Sequence, residues 1–321
     1  MIDSLSLITP HLRRNENFFV AYSGGVDSTV LLKEVGEASK KVKCNVTAIH
    51  INHGYSKFSD KWEEHCEKFC SENDYPLKRF SLNCSEIEGA SLESAMREKR
   101  YEIFQSLIGE NETLFMGHHL DDQIETLFFR ILRGSGLKGS LSIPYKRNLG
   151  KGLLVRPFLN LPKKEIYEIA MRKKLKFIED ESNKDIKFDR NFLRSEVIDK
   201  ISERWPNYRK SLSKYIDNQK SSYKFLKEIT NIELKKILNG KSIDINKLNK
   251  YDFKYQKILI LQWLDMNNCN LPSSSALDEL TKFFVNSEKT KEPKFIWGSK
   301  EKGNYICLKV KKGIVSIEPN L

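Results

Sequence analysis

The sequence predicts an α/β fold: a parallel twisted sheet with helices on both faces, followed by a mainly helical C-terminal domain with a few short strands. Three observations predict it. Short apolar runs alternate with amphipathic stretches through the first half of the chain. A Gly-Gly turn sits where the first apolar run gives way to the first helix. Beyond about residue 205 the alternation ends and the charge balance changes.

The elements follow in order. Phe18–Tyr22 (FFVAY) reads as a strand, and a helix runs from about Asp27 to Ala38. Cys44–Asn52 is the second strand and Ser59–Cys70 the helix after it; Leu77–Leu82 and Leu92–Leu107 repeat the pair. Thr113–Met116 is a short strand before the helix Asp121–Leu132. Glycines 134, 136 and 139 with Pro144 mark a loop, Leu153–Phe158 is a further strand candidate, and Pro162 suits the start of a helix over Lys163–Lys174. Helical patterns then dominate to Leu264, Ser273–Ser275 can cap a helix through Phe284, and Lys294–Ile317 reads as short strands. The expected domains are 1–204 and 205–321.

With 321 residues the chain has room for two or three domains, and 39% apolar content excludes wholesale disorder. No apolar run approaches a membrane span, and MIDSLSLITPHLRR lacks the basic start and apolar run of a signal peptide. Cys44, Cys66, Cys70, Cys84, Cys269 and Cys307 follow no framework spacing, which suits free thiols in a cytoplasmic protein. The net charge is +12, and residues 201–321 hold 23 Lys and Arg against 13 Asp and Glu, so +10 of it lies there. Such a basic part suggests a polyanionic partner; a merely solvated Lys-rich surface is the competing reading.

Ser23-Gly24-Gly25-Val26-Asp27-Ser28 carries the strongest chemical signal. Gly24 and Gly25 let backbone N–H groups approach phosphate oxygens, and the helix start beyond them adds unpaired donors and partial positive charge. Ser23 and Ser28 offer hydroxyls, and Asp27 can help hold Mg²⁺. The segment is neither a Walker A loop nor a dinucleotide fingerprint. His50-Ile51-Asn52-His53 ends the second strand, where open α/β sheets bind ligands. Arg97 and Arg100 share a helical face, and an arginine there could spread the charge of a pentavalent phosphate. In His118–Thr126, Asp122 and Glu125 are three apart on a new helix; two like charges on one turn are tolerated best around a cation, either Mg²⁺ or an ammonium group. A zinc site from His118 and His119 is disfavoured, since adjacent histidines rarely converge on one metal.

Ser23–Ser28 resembles the pyrophosphate loop of the N-type ATP pyrophosphatases. Later segments narrow the likeness to the tRNA(Ile)-lysidine synthetases: Glu93–Tyr101, His118–Thr126, Arg133–Gly139, Val155–Leu159, Glu179–Asn183 and Arg190–Arg194. Ser140 and Glu181 depart from the family's usual leucine and proline. The likeness is firm from about 18 to 200 and thin to 321. It implies that ATP with Mg²⁺ adenylates the wobble cytosine in the CAU anticodon of tRNA(Ile), after which the amine of L-lysine displaces AMP. It also implies catalytic roles for Asp27, Arg97, Asp122, Glu125 and Arg194, with Asp27 the metal ligand. Nucleotide binding would fall to Ser23, Gly24, Gly25, Val26, Asp27, Ser28, His50 and His53. Asp122 and Glu125 would grip the lysine. The rivals are another tRNA-modifying enzyme of the superfamily, such as a thiolase, and a non-catalytic RNA-binding protein. The first usually shows a Cys-x-x-Cys pair, whereas Cys66 and Cys70 are four apart.

Overall fold

The apolar runs of the first half pair into one six-stranded sheet. The computed structural model describes residues 4–54, 58–82, 92–179, 186–269, 271–286, 293–299 and 304–318. Cys84 and residues 180–183 of the Glu179–Asn183 segment lie outside these, as do the side chains of Glu93 and Ser94. The chain divides into two units between Gln219 and Lys220.

The first unit contains α1 (Ser4–Ile8), β1 (Asn17–Ala21), α2 (Val26–Val42), β2 (Asn45–Asn52), α3 (Ser59–Glu72), β3 (Leu77–Ser81), α4 (Leu92–Leu107) and β4 (Thr113–Phe115). It continues with α5 (Leu120–Leu132), α6 (Leu137–Ser140), β5 (Lys146–Leu149), β6 (Gly152–Val155), α7 (Lys163–Arg172), α8 (Asp189–Phe192), a π-helical turn at Leu193–Ile198, α9 (Asp199–Arg204) and the first turns of α10 (Tyr208–Ile237). The strand order is β3-β2-β1-β4-β6-β5. Every pairing is parallel except β5 with β6.

Alternation along β1 explains why both faces are covered. Phe18, Val20 and Tyr22 enter the core shared with Leu31, Val35 and Ile166, while Phe19 joins Ile49, Phe104 and Leu114 on the other face. The strand β5 was not expected: Lys-Arg-Asn-Leu has no apolar pattern, and it pairs only as an edge, through a turn at Gly150. The strand candidate Leu153–Phe158 is shorter than predicted, because Pro157 cannot donate to a ladder. The order reverses between β1 and β4, so their C-terminal ends form the crevice where such sheets bind ligands.

The boundary expected at 204/205 lies between α9 and α10, upstream of the division inside α10. Tyr208 on the first turn of α10 packs with Leu120, Ile124 and Ile198, which ties that turn to the first unit. The second unit holds the rest of α10, β7 (Leu238–Asn239), β8 (Ser242–Asp244), α11 (Ile245–Leu248), α12 (Phe253–Met266), α13 (Ser274–Asn286), β9 (Lys294–Ser299), β10 (Asn304–Lys311) and β11 (Ile314–Glu318). Its sheet runs β7-β8-β11-β10-β9 and is antiparallel. Trp263, Leu259, Leu280, Phe284 and Leu308 form its core, and the indole N–H of Trp263 donates to the Lys241 carbonyl at 2.8 Å. Ser273 caps α13 by accepting the Ala276 N–H at 3.3 Å. Among the described residues no helix is long and apolar enough to cross a membrane.

Candidate active site

The turn between β1 and α2 is held open by its own hydroxyls. The Ser28 Oγ accepts the Ser23 N–H at 3.2 Å, lies 3.1 Å from the Ser23 Oγ and donates to the Gly25 carbonyl at 3.0 Å. The Gly24 carbonyl is drawn away by the Ile178 N–H at 2.9 Å and the Thr29 hydroxyl at 3.2 Å. Gly24 has a φ of +83°, and a Cβ there would meet Ile178 at 2.9 Å and the Cys66 sulfur at 3.0 Å, so only glycine fits. Gly25 is the N-cap of α2, and the first-turn N–H groups from Val26 onward have no acceptor within the helix. The turn thus presents donors, with its carbonyls directed elsewhere.

A cavity of about 220 Å³ opens over this turn at the ends of β1, β2 and β4. Its lining includes Ser23, Gly25, Asp27, Ser28, His53, Arg100, His118 and Asp122. Gly117 brings the end of β4 against α2: a Cβ there would lie 3.1 Å from the Asp27 carbonyl carbon and oxygen. One Asp27 oxygen, Oδ1, is buried with no hydrogen-bond partner. Burial lifts the Asp27 carboxyl above its ordinary pKa, against the pull of His119, Lys163 and Arg194. An orphaned buried carboxylate oxygen facing a donor-lined turn fits a cation carried in with phosphates.

His119 joins the two acidic positions. It is the N-cap of α5: its Nδ1 accepts the Asp122 N–H at 3.4 Å while Asp122 Oδ2 accepts the His119 N–H at 2.9 Å. Its other ring nitrogen, Nε2, lies 3.7 Å from Asp27 Oδ2 and 3.5 Å from Asp122 Oδ2. Burial alone would raise the Asp122 carboxyl, but His119, the His119 backbone N–H and Arg190 hold it below its ordinary value. His118 accepts at Nδ1 from the buried Arg156 at 3.2 Å, and burial with Arg156, Arg97 and Arg100 pushes it down to about 3, so it is neutral at physiological pH.

A second cavity, of about 370 Å³, lies on the other side of the first turn of α5. Arg194 grips Glu125 with both arms of its guanidinium, Nε to Oε1 at 2.7 Å and Nη2 to Oε2 at 3.0 Å. Asp121 accepts from Arg209 Nε at 2.7 Å and from the Lys163 N–H at 2.8 Å. Ile124, Tyr167, Ile198 and Tyr208 give the cavity apolar wall, and Lys163 and Lys164 add amines.

Ser23, Gly25, Asp27, Ser28, His53 and Asp122 line the first cavity and Glu125 and Arg194 the second; Gly24 and Val26 belong to the turn itself, and His50 and Arg97 line neither cavity. His50 does not line the first cavity. Its ring faces the opposite side of β2 from Ile49 and Ile51, where Nδ1 donates to the Tyr22 carbonyl at 2.9 Å; alternation along a strand sends neighbours to opposite faces. His53, three residues on, does line it. Arg97 lies over the Tyr101 ring at 5.5 Å, and Arg100 is the arginine that reaches the cavity. Glu125, expected to hold a cation, holds Arg194. Gly117 and Arg156 were missed as contributors; a glycine between a strand and His118 was the available signal for the first. Cys66 and Cys70 are buried with their thiols pushed up to about 12, so neither is poised as a thiolate.

Comparison with known proteins agrees with this geometry. The PP-loop domain family matches residues 3–201. The chain is 36% identical over 293 residues to a tRNA(Ile)-lysidine synthase of Buchnera aphidicola, covering 91% of the chain and 66% of the relative. It is 33% identical over 269 residues to that of Coxiella burnetii (84% and 60%), and 40% over 228 residues to that of Pseudomonas putida (71% and 53%). The chain thus spans between about half and two thirds of these relatives' length. Among solved structures, the U34-tRNA thiolase NcsA from Methanococcus maripaludis, with its [4Fe-4S] cluster, aligns with a TM-score of 0.55 at 18% identity. That alignment covers 67% of this chain and 76% of the thiolase, and it speaks to the fold alone. The sequence match and the donor-lined turn at Ser23–Ser28 together make the chain a member of the PP-loop family of ATP-binding proteins.

Proposed function

We propose that the chain is a tRNA(Ile)-lysidine synthase, joining L-lysine to carbon 2 of the wobble cytidine in a CAU anticodon and changing its decoding from AUG to AUA. The observation that carries the reading is the pair of cavities flanking the first turn of α5, one lined by the phosphate-type turn and the other by amines and paired carboxylates. The relatives at 33–40% identity supply the reaction class.

In the first step the carbonyl oxygen on carbon 2 of the cytosine attacks the α-phosphorus of ATP, and pyrophosphate leaves. The turn N–H groups and the Ser23 and Ser28 hydroxyls hold the phosphates. Arg100, rather than Arg97, meets the charge that builds on the reacting phosphate. Mg²⁺, when bound, neutralises phosphate charge, and Asp27 is the residue to hold it. Phosphate oxygens and water would complete its shell, as is usual for Mg²⁺ carried in with a nucleotide. In the second step the ε-amine of lysine attacks carbon 2 and gives up a proton, and AMP departs with the oxygen. AMP is a far better leaving group than the original oxygen, which is what adenylation achieves. The amine, of ordinary pKa about 10.4, must be neutral to attack. Asp122, which lines the first cavity and has no arginine or lysine partner, is the carboxylate to receive its proton, while the Glu125–Arg194 pair orients the rest of the amino acid.

The basic part from 205 to 321 carries the tRNA backbone in this reading. A cytoplasmic location goes with it, since tRNA, ATP and free lysine meet there. The test is incubation of the chain with ATP, Mg²⁺, lysine and tRNA(Ile) bearing CAU, with mass analysis of the anticodon nucleoside. The lysine adduct is expected there and not on an elongator methionine tRNA with the same anticodon. Absence of any lysine adduct, with AMP formation intact, would sink the reading.

A further inference from the structure

The far end of α5 carries a surface that neither cavity uses. Leu132 is 71% exposed at the helix terminus, and Phe188 and Phe192 are 36% and 47% exposed nearby in sequence to Arg190. The Phe192 N–H donates to the Phe188 carbonyl at 3.0 Å, so Phe188, the N-cap of α8, and Phe192, its last residue, are joined across one turn. This turn is tied to α5 at two points. Arg133 reaches Asp189 at 3.6 Å, and Arg190 reaches the Thr126 hydroxyl at 3.4 Å. Arg133, with a side chain 64% exposed, also stacks its guanidinium over Phe129 at 3.8 Å. Arg130 is half-buried beside the positive charge of Arg97 and Arg190, and it uses its Nη1 to close the loop at the Gly139 and Ser142 carbonyls. The patch therefore pairs exposed aromatic rings with a surplus of guanidinium groups. Its ties to α5 run from Thr126, about 6 Å along the helix from Asp122, to Arg133, about 16 Å along it, at 1.5 Å per residue.

We propose that this surface, Phe188 and Phe192 with Arg133 and Arg190, is a platform for unpaired RNA nucleotides next to the target base. Aromatic rings interleaved with arginines are what single-stranded nucleic acid requires: each base has a face to stack, and each phosphate a charge to meet. A protein partner would be served by the apolar rings but not by the crowding of like charge around Arg97, Arg130 and Arg190. The platform rests on the reading of the substrate as an RNA base. It adds a reason why that base is presented unstacked, because its neighbours are held by the rim while it enters the cavity.

The experiment is fluorescence anisotropy with the full chain and a labelled short single-stranded RNA containing CAU, beside the same RNA annealed to its complement. F192A and F188A are each expected to weaken single-strand binding by about tenfold and the duplex little. F192W should restore it, and F192L should not. R133A should weaken binding and reduce the slope of log affinity against log salt by about 0.7. M171A, an exposed apolar residue on α7, should change nothing. Binding within twofold of wild type in both phenylalanine variants would overturn the platform, as would equal losses for single strand and duplex. So would a wild-type dimer that F192A and F188A disperse while RNA affinity holds, which would assign the patch to contact between copies. The synthase reading stands or falls separately, on lysine transfer by the wild-type chain.

Discussion

The two sides of the first turn of α5 are built from the same residue types and end in opposite electrostatic states. On one side Asp27 keeps a buried oxygen without a partner, and Asp122 is held low by His119, its backbone N–H and the charge of Arg190, with no arginine or lysine bonded to it. On the other, Glu125 and Asp121 are each closed by an arginine at 2.7 Å. A buried carboxylate left open costs stability that a paired one does not, so the open pair is retained for something that arrives with the substrate. The paired side is already organised, and in the proposed reaction its work is to position the amino acid.

The largest expected effect tests the open side. Asp27→Ala should lower AMP formation by about 10³-fold, on the order expected for losing a metal-positioning carboxylate, with thermal stability unchanged or raised because a desolvated charge is removed. Single-turnover AMP release from a folded variant is the measurement. A near wild-type rate would remove the distinction between the two sides.

Gly117→Ala approaches the same side without touching a charge. Its Cβ would press on the Asp27 backbone at 3.1 Å, shifting the start of α2 by a few tenths of an ångström. A fall of about 10- to 100-fold in adenylation is expected, since small misplacements of positioned groups are that costly. Unchanged adenylation would mean the turn tolerates displacement and is not the phosphate cradle.

Glu125→Gln tests the closed side. It breaks a bidentate grip on Arg194, a residue partly open to solvent, so the loss of stability should be modest. KM for lysine should rise about tenfold while ATP-dependent adenylation is spared, which is the signature of lost positioning. If adenylation and lysine transfer fall together, the pair serves the nucleotide and the two sides form one site.

The open side was the more legible in the sequence, for a physical reason. Ser23–Ser28 is a contiguous turn whose glycines and hydroxyls declare a backbone conformation and a set of donors, so the chemistry can be read locally. The closed side depends on Glu125 meeting Arg194 and Asp121 meeting Arg209 across long stretches of chain, and no local pattern encodes such a pairing. His50 falls outside the lining of the first cavity because a strand-end histidine can face either way, and the alternation that decides it follows from Ile49 and Ile51 packing toward α4. Arg97 and Arg100 share a helix face to within one turn, and only packing against Tyr101 separates them. The parallel strands were legible as apolar runs, whereas β5, a polar edge strand, was not.

The smallest expected effect also belongs to the open side. His53 lines the nucleotide-side cavity, and burial, with Arg100 and His50 nearby, pushes its pKa down to about 4. In the unfolded chain the same imidazole titrates near 6.5. Between those values the unfolded state binds a proton that the folded state refuses, so this residue makes stability rise with pH across that window. Its contribution is fully present above about 6.5 and is lost progressively as pH falls toward about 4. His53→Gln removes the titration while keeping a polar side chain of similar size. Melting temperatures of wild type and variant, matched at pH 7.5, should diverge below pH 6, with the variant higher by a few degrees at pH 5. No histidine lines the second cavity, so the same scan on a variant there, such as Tyr167→Phe, should follow wild type throughout. Parallel curves for His53→Gln and wild type would mean that the ring is hydrated in solution, and that the nucleotide side is less desolvated than its geometry implies.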